Sequence, residues 1–246
     1  MSAVAWLARG LALLLLIGLL LVPEAFAPVF RPLTENGAPP IYTQASLGGL
    51  ALAHLGLVAA ASLVSAVAAV ALGIFVTRPR NAEFLPLSRT VVNIGQVFPP
   101  VAVLAIAVPL VGFGTAPTLI ALVLYGLLPI FETTVAGLTG VPAAVSEAAR
   151  GMGLSARRRL FAVELPLALP VILGGLRLSI VINLGTATIG STVAAKGLGE
   201  VIIAGLQSSN TAFILQGGLV VALLAVLIYD VFGVLERALL RGRERD

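Results

Sequence analysis

Apolar residues along this chain fall in long unbroken runs, not in the alternation of a half-buried strand or the one-sided period of a surface helix. Runs long enough to cross a bilayer lie at roughly residues 4–23, 51–77, 90–112, 117–138, 168–193 and 214–235. A helix satisfies its own backbone in hydrocarbon, so the pattern predicts an all-α, polytopic transmembrane bundle of about six helices. The stretch from Thr90 to Phe131 is 42 residues without a charge, too long for one crossing. Gly112-Phe113-Gly114-Thr115-Ala116-Pro117 supplies the break and predicts an antiparallel pair. Residues 24–49 carry Pro28, Pro32, Pro39 and Pro40 and read as an extended connection ordered by docking. Residues 194–213 read as a short apolar helix lying against the outer surface or dipping in.

Composition agrees with the pattern. Of 246 residues, 59% are hydrophobic and 11% charged, and the mean hydropathy of +1.09 lies outside the soluble range. The spans fill the chain, so residues 1–246 are expected to form a single transmembrane domain with no soluble domain beside it. The first run has a second reading. Met1 to Arg9, the leucine-rich run to Val22 and Ala25-Phe26-Ala27 also fit a secretory signal with an A-x-A site. Proline at position 28 is poor for signal peptidase, so an uncleaved helix is expected.

A net charge of +4 and a pI near 10.3 would suggest nucleic acid for a soluble chain, but in a membrane protein the positions of the charges decide. With the N-terminus inside, the cytoplasm receives Arg9; Arg78, Arg80 and Arg89; Arg150, Arg157, Arg158 and Arg159; and Arg237, Arg241, Arg243 and Arg245, twelve of the fifteen basic residues. Only Arg31 and Lys196 fall outside, and Arg177 lies within the fifth span. Both termini are therefore expected in the cytoplasm of a cell (inner) membrane. Cysteine is absent and His54 is the only histidine, which leaves no metal cluster, thiolate or serine-histidine triad to build. No catalytic or metal residue is expected, and His54 reads as an interfacial or packed side chain.

The cytoplasmic segment 139–167 is long enough to fold on its own terms. Pro142 suits the first turn of one short helix, Gly153 a left-handed position that ends it with Leu154 folding back, and Ser155 the cap of a second helix that stops before Pro166. Glu147-Ala148-Ala149, then Gly153, then Val163, Leu165 and Pro166 follow the spacing of the EAA loop and resemble ATP-binding cassette (ABC) importer permeases. Valine at 163, where isoleucine is common, is a conservative departure. The likeness extends over roughly residues 50–237 and looks closest to the osmoprotectant branch, importers of glycine betaine, choline or carnitine. It is carried by Asn93-Ile-Gly-Gln-Val-Phe-Pro-Pro100, Leu124-Tyr-Gly-Leu-Leu-Pro-Ile130, the run Glu147 to Arg177, and Gly185-Thr-Ala-Thr-Ile-Gly190 leading into Gly197-Leu-Gly-Glu200.

This resemblance implies the type I importer architecture, MetI-like, and a transport subunit without its own ATPase site or cofactor. The implied partners are a cytoplasmic ATP-binding subunit, an extracytoplasmic substrate-binding protein and a second permease copy or paralogue. The chain contains no G-x-x-x-x-G-K-[ST] phosphate loop, so ATP is expected on the partner. It ends at Asp246, so the binding protein is expected as a separate chain. Glu147, Ala148, Ala149, Arg150, Gly153, Val163, Leu165 and Pro166 are the implied docking set. Small residues at 144, 148 and 149 let another surface approach the backbone, whereas the Glu147–Arg150 pair can also be read as a solvated helix face. Arg157, Arg158 and Arg159 read mainly as positive-inside charge.

Polar residues within the spans complete the reading. Glu132 and Arg177 sit at similar depth in antiparallel spans and can pair or snorkel to the interface. Asp230 is expected to face Arg237 or the headgroups. Asn93, Gln96, Asn183, Thr186 and Thr188 can line a passage or bond neighbouring helices. A permease for another small polar solute, such as an amino acid, fits the same pattern. A self-contained secondary transporter would need more intramembrane acids and an inverted repeat than the chain offers.

Overall fold

The computed structural model describes residues 3–243, with the side chains of residues 6–238. Its main helices are α1 (Ala3–Leu21), α2 (Leu47–Val76), α3 (Leu85–Val97), α4 (Pro100–Val111), α5 (Thr115–Thr139), α6 (Ala143–Gly151), α7 (Ala156–Arg159), α8 (Leu165–Thr186), α9 (Gly199–Gln207) and α10 (Thr211–Arg243), with short helical turns between some of them, among them one α-helical turn at Ala27–Phe30. Four stretches, Leu47–Val76, Thr115–Thr139, Ala156–Val193 and Thr211–Ala238, are long and apolar enough to cross a membrane, and two bent helix pairs raise the number to as many as 6. The all-α polytopic architecture is thus observed among the described residues, with four candidate spans, and about six where each bent pair is taken as one span.

Both breaks are set by proline. The expected span over 90–112 is interrupted at Phe98, whose ψ of 133° is the extended conformation that a following proline enforces. Pro99 is extended too, with ψ 141°, and Pro100 opens α4. The expected turn lies where the glycines put it, with positive φ at Gly112 (81°) and Gly114 (109°). After α1, the helical turns of Pro23–Leu33 run at 113° to Trp6–Leu21. There the Phe26 ring lies over Gly18, where an added Cβ would sit 3.0 Å from it. The segment that reads as a signal cleavage site is therefore helical and packed.

The chain divides into two compact units, Met1–Ala61 with Pro99–Leu122 and Val181–Asp230, and Ser62–Phe98 with Val123–Ile180 and Val231–Asp246. α2, α5, α8 and α10 each supply a segment to both. In the first unit, Leu16 and Leu19 of α1 share a core with Phe30, Leu50, Leu198, Val201, Val220 and Leu224. The connection expected to be extended is instead helical over Pro23–Leu33, where proline opens successive short turns, and only its later part is extended and docks beside α10. The Gln216 side chain donates to the Pro40 carbonyl at 2.6 Å and accepts from the Tyr42 N–H at 3.1 Å. Asn210 donates to the Pro39 carbonyl at 2.9 Å, and Tyr42 meets Phe213 edge-on at 5.4 Å. Consecutive prolines have carbonyls but no N–H, so amide side chains supply the missing donors. The expected short helix in 194–213 is α9, and Glu200 in its first turn accepts from the Gly197 N–H.

The second unit packs Ala69 and Val76 of α2 and Val92 of α3 around Ile130, Phe131 and Val135 of α5. A neighbouring cluster joins Leu138, Leu160, Ala168 and Ile172.

Gln216 is fully buried, so Gln216→Leu strands the Tyr42 N–H and the Pro40 carbonyl. The expected loss is about 2 kcal/mol or more, from two orphaned polar groups at roughly 1–3 kcal/mol each. It is measured as a lower thermal midpoint of the purified protein in detergent, and an unchanged midpoint would show that the connection is not held this way.

Candidate functional site

The segment between α5 and α8 folds as its sequence suggests, with one difference. Pro142 stands just before α6 in an extended conformation, ψ 134°. Its carbonyl accepts from the N–H groups of Val145 and Ser146. Gly153 takes the left-handed conformation, φ 79°. Its N–H bonds the Arg150 carbonyl and the Leu154 N–H bonds that of Ala149, the pairing that closes a helix in a Schellman turn. A Cβ on Gly153 would meet nothing within 4 Å, so the requirement for glycine is conformational rather than steric. Ser155 caps α7 by accepting from the Arg158 N–H.

The difference lies at Pro166. The helix passes through it, because Leu160–Glu164 form one turn of π-helix in which the Leu165 N–H bonds Leu160, five residues back. Proline cannot donate to the carbonyl four residues earlier, and the wide turn takes up that missing bond.

These turns sort the docking set into two groups. Glu147, Ala148, Arg150, Met152 and Gly153 are exposed, and so is Phe161. Ala149 is 1% exposed and faces inward. Val163, Leu165 and Pro166 are half-buried, with Leu165 packed against the Leu138–Ile172 cluster. The second half of the pattern thus holds the loop in place and the first half presents a surface.

The charges pair differently from the sequence expectation. Glu132 is held by Arg89 through two hydrogen bonds, 2.9 Å and 3.0 Å, and not by Arg177. Arg177 instead faces Glu236 at 3.6 Å, its guanidinium fitting over Gly233, where a Cβ would lie 3.2 Å away. Matching depths on α5 and α8 do not fix the angular position of either residue, and α3 and α10 offer nearer partners. Asp230 accepts twice from Arg9 of α1, at 2.7 Å and 2.8 Å, and not from Arg237. Seven residues of helix span about 10 Å, beyond direct contact. Arg245, and the side chains of Arg241 and Arg243, lie outside the described residues.

Residues read as candidates for a passage divide between the two units, Asn93 and Gln96 in one and Asn183, Thr186 and Thr188 in the other. Gln96 donates to the Tyr125 carbonyl at 2.8 Å, and the Tyr125 hydroxyl donates to the Phe98 carbonyl at the break before α4. Thr188 donates to the Gly185 carbonyl. Asn183 is buried, Asn93 is exposed and Thr186 is half-buried. His54 is a packed residue, fully buried, with Nε2 3.0 Å from the Leu184 carbonyl. Arg9 lies 5.6 Å over the Trp6 ring, which is otherwise exposed, and the buried Tyr42 meets Phe213.

Sequence reasoning missed Glu164. It falls between Val163 and Leu165 in the spacing pattern and drew no attention there, yet it is buried and bound by both Arg78 and Arg159. The one available signal was an acid so close to a run of three arginines.

A helical bundle presenting a capped surface loop of this spacing resembles the permeases of ABC importers. The chain belongs to the family of binding-protein-dependent transport system inner membrane components, whose profile matches residues 69–244. It is similar to the osmoprotectant import permease protein OsmY of Salmonella typhimurium, 38% identical over 175 residues, 71% of this chain and 74% of that one. It is also similar to the choline transport system permease protein OpuBB of Bacillus subtilis, 36% identical over 186 residues, 76% of this chain and 85% of that one. Its fold matches that of a chain in the inward-facing MetNI methionine ABC transporter, with a TM-score of 0.69 at 22% identity over 76% of this chain and 93% of that one. The chain is therefore a membrane-spanning permease of the ABC importer type.

Charge exchange distinguishes the pairings. Glu132→Arg combined with Arg89→Glu is expected to recover about 1 kcal/mol of the stability lost in the single variants, whereas Glu132→Arg with Arg177→Glu recovers none. Thermal unfolding in lipid nanodiscs measures both cycles, and recovery only with Arg177 would contradict the structure.

Proposed function

We propose that this chain is the transport subunit of an importer for quaternary-amine osmoprotectants such as glycine betaine, choline or carnitine, moved by ATP that a partner subunit binds and hydrolyses. The observation that carries the reading is the exposed helix α6, closed by Gly153, with Glu147, Ala148 and Arg150 on its open face. In this reading α6 rests in a groove of a cytoplasmic ATPase. Ala148 allows close approach, and Glu147 and Arg150 make the charged contacts. Closure of the ATPase pair then rocks the permease helices between inward- and outward-facing states as a rigid-body response to a remote binding event. A second copy or a paralogue completes the passage.

Both termini lie in the cytoplasm in this reading, since the basic residues cluster in the segments that the N-inside arrangement places there. The substrate class rests on the names borne by the relatives above. Trimethylammonium groups are usually held over aromatic faces, and with Trp6, Tyr42, Tyr125 and Tyr229 scattered along the chain, selection falls mainly to a separate extracytoplasmic binding protein.

Two measurements test this. Gly153→Val forces a β-branched residue into the left-handed region at about 1–2 kcal/mol. It should leave membrane insertion intact while the assembled complex hydrolyses ATP without matching transport; unchanged coupling would count heavily against docking through α6. For the substrate, the cognate binding protein is titrated with glycine betaine, choline, carnitine, proline and unrelated amino acids in a thermal-shift assay. A rise in midpoint with one or more quaternary amines is expected, and a response to amino acids alone would move the chain to a different substrate class.

A further inference from the structure

Glu164 ends the π-turn before α8 and is 7% exposed. Each of its carboxylate oxygens is taken by a guanidinium: Oε2 accepts from Arg78 Nη1 at 2.6 Å and Oε1 from Arg159 Nε at 2.9 Å. The two arginines come from separate parts of the chain. Arg159 closes α7, the helix after the Gly153 turn, while Arg78 follows the C-terminal end of α2.

Arg78 is itself fixed. The Thr77 hydroxyl bonds the carbonyls of Gly73 and Ile74 at 2.9 Å and 3.0 Å, closing α2, and accepts from Arg78 Nη2 at 3.2 Å. Asn81 donates back to the Phe75 carbonyl, and the Phe75 and Phe84 rings lie 5.9 Å apart across the loop.

The wide turn makes the second contact possible. Residues five apart in a regular α-helix are separated by about 140° around the axis and cannot meet. One turn of five-residue bonding stacks them instead, which brings Arg159 over Glu164. A buried ion cluster is weak support for stability, since well-packed apolar residues often serve as well; its best-attested use is to fix one arrangement over others.

We propose that Glu164 is a positioning residue for transport, a clamp that makes the docking segment and the C-terminal end of α2 move as one body when the ATPase pulls on α6. The inference rests on the docking reading above. Without the clamp, α6 and α7 follow the ATPase while α2 lags, so ATP is hydrolysed with less solute moved.

The test uses the complete transporter, permease with ATPase and binding protein, in proteoliposomes. Glu164→Gln removes the charge and keeps the shape. Transport per ATP hydrolysed is expected to fall fivefold or more, the low end of a typical coupling free energy, while the ATPase still co-purifies in full amount. Glu164→Asp, which keeps the carboxylate, should recover most of the loss, and Arg80→Gln, which removes an exposed charge from the Arg78 loop, should leave transport unchanged. Unaltered transport per ATP in Glu164→Gln overturns the proposal. So does loss of the ATPase from that complex, because Glu164 would then serve docking itself. Should Glu164→Gln fail to accumulate, Arg159→Gln leaves the Arg78 contact in place and is expected to give an intermediate loss of coupling; wild-type coupling there overturns the clamp. If the docking reading is wrong, coupling survives substitution at Gly153 whatever happens at Glu164, so the two failures appear in different variants.

Discussion

A carboxylate or guanidinium placed alone near the centre of a bilayer costs roughly 2.5–3.5 kcal/mol on insertion scales, and more by other measures. Arg177, within a span, meets Glu236, and charges toward the ends of the spans pair as well, Arg9 with Asp230 and Arg89 with Glu132. Each pair ties together two helices that are distant in sequence. Because so few charges are available, at 11% of the residues, each pairing narrows which helix faces can meet. The Arg9 pair carries a further consequence for α1. It would leave Asp230 without these two hydrogen bonds if the helix were removed, and Leu16 and Leu19 are buried in the same core. The helix is built in as a structural member of its unit.

Backbone groups left without partners by proline are satisfied in three different ways in this chain. At the Phe98 break, the Tyr125 hydroxyl reaches the Phe98 carbonyl while Gln96 bonds the Tyr125 carbonyl. At Pro39 and Pro40, Asn210 and Gln216 supply donors that prolines lack. At Pro166, the helix widens by one turn and continues. Helices also approach closely where a side chain is missing. Gly95 lies against the Leu124 backbone, Gly137 against Ala168 and Gly175 against Thr133, all positions where a Cβ would come within about 3 Å of a neighbour. Small residues at crossings suit a bundle in which the hydrophobic effect between helices is weak.

Much of the helical layout was legible in the sequence, since hydropathy reports which residues share a nonpolar solvent. The turn at Gly112 and Gly114 and the capped loop around Gly153 and Ser155 were legible because both depend on local chemistry: a positive φ and a hydroxyl acceptor. Pairing was not. Apolar runs give depth along a helix but no azimuth, so Glu132 and Arg177 looked like partners when the true partners sat on α3 and α10. The importance of Glu164 was hidden for a sharper reason. With regular helical geometry Arg159 and Glu164 point apart, and only the π-turn, a response to Pro166, sets them together. Of the residues read as lining a passage or bonding neighbouring helices, Gln96 does bond the neighbouring helix α5 and Thr188 bonds its own turn, partners that composition cannot reveal.

Exposure has to be interpreted by which solvent lies outside. Leu52, Leu110 and Ile106 are exposed on apolar helices of the spans, where lipid is the expected contact and exposure carries no penalty. Val145 and Met152 are different. They belong to α6 and the turn after it, and a helix of nine residues is far too short to cross a bilayer. Met152 is 74% exposed, beside the alanines and charges of α6, in a segment closed by the Gly153 turn and the Ser155 cap. Chain strain therefore does not account for the exposed apolar atoms there. In the docking reading proposed above, a hydrogen-bonded surface of small residues rimmed by Glu147 and Arg150 loses little entropy on docking, because its geometry is set beforehand. That preorganisation is what would let a remote ATPase move the helices rather than merely bend the loop between them.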